Sequence, residues 1–178
     1  GGSEGIVNGF WGGEVNTVTT TVPVPDGATS ALLRLRYWAI DSWDGGETAS
    51  VTMDDSVLWA LDRASYGQCD GSNGDFMHYE GDADIPDPWN GENNHHCYFD
   101  VLQILDVSGM SSFELGLHAE IDSAASDESW GFNHLSITFN DGTAAGTGTV
   151  VESSDLSWSN TQTYDAGGSE GIVNGFWG

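Results

Sequence analysis

An antiparallel β-sandwich of jelly-roll type is the all-β reading this 178-residue chain supports, and three observations carry it. Short runs rich in Val, Thr, Leu and aromatic residues recur along the chain, each stopped by Gly, Asp, Asn or Pro. Asp54-Asp55 joins two such runs through two residues, the loop length of a tight hairpin. No apolar stripe of helical period is long enough for an amphipathic helix, so many short strands at regular spacing are left to build a sandwich.

Taken in order, Ile6, Val7, Phe10 and Trp11 mark an opening strand. Residues 15–24, dense in Val and Thr, predict the next, ending at the turn Pro25-Asp26-Gly27. Residues 31–40 alternate: Leu33, Leu35 and Tyr37 fall on one face and Arg34, Arg36 and Trp38 on the other. Residues 48–53 and 56–61 form the arms of the hairpin around Asp54-Asp55. Further strands are expected at 76–79, 98–105, 112–121 and 131–139.

Residues 1–12 read GGSEGIVNGFWG, and residues 167–178 read the same twelve letters. Identity at an offset of 166 residues marks one unit of a tandem array, each unit large enough to bury its own core. The expected organisation is a sandwich domain over 1–140, a Gly/Thr/Ser-rich linker over 141–157, and the opening segment of the next repeat over 158–178. Ile172, Val173, Phe176 and Trp177 are then the expected inter-unit contact. They either start their own domain or complete the sheet of a neighbour by strand addition.

Twenty-eight carboxylates face three cations, Arg34, Arg36 and Arg63, giving a formal net charge of −25. Such a surface repels phosphate backbones and anionic lipids, so neither nucleic acid binding nor direct membrane insertion is expected. It also repels itself, which favours bound cations. Asp outnumbers Glu eighteen to ten, and short carboxylates in loops are good calcium ligands. Asp41, Asp44 and Glu47 recur at a spacing of three in a Gly-containing turn, and a second acidic turn carries Asp127 and Glu128. These five are the candidate calcium ligands, against the alternative of solvated surface charge. Asp70-Gly71-Ser72-Asn73-Gly74-Asp75 lacks the distal Glu and flanking helices of an EF-hand.

Cys69 and Cys97 are the only cysteines and form no CxxC pair, so one disulfide in an oxidising compartment is expected, two buried thiols being the alternative. Closing that loop stabilises by roughly 3.5 kcal/mol on chain entropy. His95 and His96 on a strand point to opposite faces, which argues against a transition-metal site. Eight tryptophans invite two readings. Trp38, Trp59 and Trp130 are assigned to packing, whereas Trp43 and Trp89, beside Asp and Asn, are the candidate carbohydrate platforms. No GxSxG, HExxH or phosphate-cradling glycine motif occurs, so the chain is not expected to be an enzyme.

The run WAIDSWDGGETASVTMDDSVLW, followed later by SDESWGFNHLSITF, resembles a domain repeated in large secreted and surface proteins of protists and other microbes. The resemblance spans residues 6–139 and implies a β-sandwich in an adhesive or structural extracellular protein. The expected role is therefore a structural or adhesive repeat unit of an extracellular fibre or cell-surface stalk, joined head to tail to neighbouring copies as a filament and stabilised by calcium. The alternative is a carbohydrate-binding, lectin-like module that is repeated for avidity toward glycans.

Overall fold

The computed structural model describes residues 6–41, 43, 46–62, 97–122, 128–140, 148–160 and 163–165. Within them the chain forms ten strands: β1 (Ile6–Trp11), β2 (Thr17–Pro23), β3 (Ser30–Asp41), β4 (Thr48–Met53), β5 (Ser56–Asp62), β6 (Cys97–Asp106), β7 (Ser112–Glu120), β8 (Glu128–Asn140), β9 (Val150–Glu152) and β10 (Thr163–Asp165). One 3₁₀ turn, Ser153–Asp155, comes after β9. One sheet runs β10-β1-β8-β3-β6, with β9 also on β8, and the other runs β2-β7-β4-β5. Every pairing is antiparallel. The first eight strands thus divide as 1-8-3-6 and 2-7-4-5, the two sheets of a jelly roll.

Alternation sets which face each strand buries. On β3, Leu33, Leu35 and Tyr37 point into the core while Arg34 is exposed, as their spacing predicts. Val18 and Val22 on β2, and Phe113, Leu115 and Leu117 on β7, close the core from the opposite sheet. Asp54 and Asp55 take the positive φ that a two-residue β4–β5 hairpin demands, 46° and 63°. The Asp54 carboxylate also accepts the Glu114 backbone N–H at 2.8 Å, tying the turn to β7. Gly27, at φ 80°, closes the turn after β2, where the Ala28 N–H donates to the Pro25 carbonyl.

Aromatic rings form the centre of the core. Tyr37 lies almost parallel to Trp130 at 5.6 Å, Trp130 meets Trp11 at 4.8 Å, and Trp11 stacks on Phe132 at 6.2 Å. From Tyr37 the chain of rings continues to Trp59 and Phe99, bridging toward β5 and β6. Trp130 and Trp38 are buried and Trp59 is half-buried against the core, so the packing assignment of all three holds.

The C-terminal segment departs from expectation. Of residues 141–157, read as linker, Val150–Glu152 form β9 on the edge of β8 and Ser153–Asp155 the 3₁₀ turn. Trp158, read as the start of another unit, packs on Phe132 at 4.7 Å, and Ser159 exchanges hydrogen bonds with the Thr19 backbone. Thr163–Asp165 then pair with β1. The physical reason is edge cover: residues 157–159 lie along the open side of β2 and β10 along that of β1, satisfying backbone groups that would otherwise stay unpaired. The strand expected at 76–79 lies outside the described residues.

Membership of Trp158 in this core is directly testable. Trp158→Ala should cost about 2 kcal/mol in urea unfolding, and Phe132→Ala about 3–5 kcal/mol. A Trp158 that belonged to a separate unit would leave the unfolding midpoint unchanged.

Candidate functional site at the seam strand

The first copy of the duplicated segment supplies β1, and β1 sits in a slot with β8 on one side and β10 on the other. Against β8, Asn8 stands opposite Phe132, Gly9 opposite Gly131 and Trp11 opposite Trp130, with a bulge between Gly9 and Trp11. Against β10, Ile6, Val7 and Asn8 stand opposite Asp165, Tyr164 and Thr163.

The slot is selective. Gly9 has φ 133°, and a Cβ there would lie 2.6 Å from the Gly131 Cα and 2.7 Å from the Trp130 carbonyl oxygen, so only glycine fits. Trp11, 1% exposed, fills the space between Trp130 and Phe132. Asn8 donates to the Ser153 hydroxyl at 3.1 Å, joining the slot to the 3₁₀ turn. The Trp130 indole N–H donates to the Val15 carbonyl at 2.9 Å, which fixes the exit from β1 toward β2. Sequence reasoning found Trp11 but missed Gly9, Gly131, Ser153 and the pairing with 163–165. The available signal was a second copy beginning just past Asp165.

The candidate calcium ligands divide three ways. Asp41 ends β3 in register with Glu128 at the start of β8. Glu47 is buried, at 5% exposure. Asp44 and Asp127 lie outside the described residues, among which no group of three or more His, Cys, Asp or Glu is placed to hold a metal.

Of the carbohydrate candidates, Trp43 is corrected. It is 1% exposed, its indole N–H donates to the Ser129 carbonyl at 2.9 Å, and its ring meets Tyr37 edge-on. A ring so enclosed offers no face to a sugar. Trp89 and Cys69 lie outside the described residues; Cys97 opens β6 opposite Ala39. Ile172, Val173, Phe176 and Trp177 also lie outside them.

Other polar groups serve the scaffold. The Arg36 guanidinium makes a paired contact with Asp100 at 2.7 and 3.1 Å across β3 and β6. The Ser108 backbone N–H, donating to Asp106, holds that carboxyl below its usual range. The Tyr37 hydroxyl donates to the His118 carbonyl at 3.0 Å across the core, and burial pushes it well above the ordinary phenol range. His118 lies between the hydroxyls of Thr17 and Thr52, at 3.0 and 2.9 Å. Burial lowers its pKa, a shift that Asp55 and Glu114 partly oppose.

No protein-family model, curated protein or solved structure matches this chain. Among the described residues no helix is long and apolar enough to cross a membrane.

The His118 environment gives a signed pH dependence. Because its folded pKa lies below the ordinary 6.5, the unfolded chain binds a proton that the folded chain does not. The stability of the neutral ring is fully present above that ordinary value and is lost as pH falls toward the folded pKa. Urea unfolding between about pH 5 and 8 should therefore show a slope that His118→Asn removes, while the carboxylate contribution common to both chains persists.

Proposed function

We propose that this chain is a structural, adhesive repeat unit of an extracellular fibre or cell-surface stalk, joined head to tail to further copies and stabilised by calcium at its acidic turns. The observation that carries this reading is the duplicated GGSEGIVNGFWG, whose first copy is an interior strand of the sheet rather than a loose tail. A module that repeats its own core strand repeats what a neighbour needs for assembly, and head-to-tail contacts of that kind do not close on themselves. Calcium finds support in the surplus of carboxylates over cations and in the facing pair Asp41 and Glu128. The carbohydrate-binding reading is left with Trp89 alone.

Two measurements test the proposal. A polypeptide of three 166-residue repeats, imaged by electron microscopy, should form rods with an axial repeat of roughly 40 Å, the span of a compact domain of this size; isolated closed monomers count against a fibre. Millimolar calcium should raise the melting temperature above that in EDTA, and Asp41→Asn with Glu128→Gln should reduce the gain. Equal stabilisation by sodium chloride alone would assign the acidic surface to general ionic screening instead.

A further inference from the structure

We propose that the slot between β8 and β10 is a strand-exchange site, filled by residues 172–177 of the same chain as readily as by residues 6–11. The slot imposes four requirements, and the second copy meets each. Gly175 stands for Gly9, the position where any Cβ would meet the Gly131 backbone. Trp177 stands for Trp11 between Trp130 and Phe132, and Asn174 for Asn8 beside Ser153.

The fourth requirement is register against β10, and it distinguishes this strand from any other apolar segment. Ile6, Val7 and Asn8 face Asp165, Tyr164 and Thr163 in the structure. Seating the second copy puts Ile172, Val173 and Asn174 opposite the same three residues in the same direction. Residues 163–174 then form a β-hairpin whose connection is Ala166-Gly167-Gly168-Ser169-Glu170-Gly171, rich in the glycine that such loops use. A long-range pairing in the sheet is therefore in register with a local hairpin of the same chain. The first copy is tethered to its slot by residues 12–16 leading into β2, the second by residues 166–171 leading out of β10.

In an array, each copy is within reach of two slots, that of the preceding unit through β10 and that of its own unit through β2. The joint between units becomes a strand that either neighbour can hold, as in donor-strand complementation. This meaning for a fibre rests on the tandem reading above, but the exchange itself is a property of the 178-residue chain and is tested there, so that either fails without the other.

The test uses Gly9→Val and Gly175→Val, alone and together, in the full chain. Gly175→Val should be silent. Gly9→Val should leave a monomer with a cooperative melt within about 5 °C of wild type, because the second copy takes the slot, and the double variant should lose the cooperative transition. Gly9→Val as disruptive as the double variant, a double variant as stable as either single one, or a Gly9→Val chain that folds only as a dimer would each overturn the proposal. An independent readout leaves both glycines in place: Ser153→Cys should form an intramolecular disulfide with Asn174→Cys, and in a separate variant with Asn8→Cys, whose native side chain donates to the Ser153 hydroxyl. Cross-linking confined to the Asn8 pair would overturn it.

Discussion

The near-parallel stack of Tyr37 on Trp130 ties β3 to β8, and much of the sandwich is arranged around that contact. Ala39 is the residue directly opposite Trp130, so the stack is a diagonal cross-strand pair, a geometry large rings can reach. Each polar atom on these rings is used to fix a different element. The Tyr37 hydroxyl crosses to the backbone of β7, and the Trp130 indole N–H holds the chain leaving β1. Trp43, edge-on to Tyr37, bonds back to β8. A buried aromatic polar atom without a partner costs stability, so the backbone carbonyls that accept from these three rings help to specify where neighbouring segments run.

The strands legible in the sequence are those whose residues carry the two-residue period themselves. β2, β3, β4 and β7 alternate over most of their length between buried and more open positions, so the period survives in the letters and their limits fall within a residue or two of expectation. β9 and β10 have three residues each and sit among Gly, Ser and Thr, where no pattern distinguishes a strand from a linker. What makes them strands lies elsewhere in the chain, in the open edges of β8 and β1. Trp43 misleads for a related reason: a tryptophan in an acidic, glycine-containing turn looks exposed, and only the fold brings Ser129 and Tyr37 around it. The Gly9 and Gly131 pair is equally hidden, because glycine in a strand reads as weakness until two backbones are seen to meet there.

Charge and packing act on different parts of this molecule. The described core is almost wholly apolar, whereas described carboxylates such as Asp26, Asp55, Glu114 and Glu120 are exposed, where repulsion is spread through water. Glu47, immediately before β4, is buried instead. Asp54, Asp106 and Asp155 accept backbone N–H groups, and Asp100 takes the Arg36 guanidinium.

The position of β1 also bears on how such a unit would carry tension. Ile6 and Asp165 face each other at one end of the β1–β10 ladder, and in a tandem chain these are the points where the backbone would enter and leave the unit. Pulling two paired strands from the same end opens their hydrogen bonds one after another, and only three residue pairs stand in the way. Resistance must then come from contacts deeper in the fold, on the N-terminal side of β10 and at the end of its ladder: Ser159 on Thr19, Trp158 on Phe132, and Asn8 on Ser153. Those contacts close the open side of the sandwich by stitching β2 of one sheet to β8 and β1 of the other. The residues that read in the sequence as linker and as the opening of a further repeat, Ser153, Trp158 and Ser159, are thus the part of the fold that keeps its two ends together.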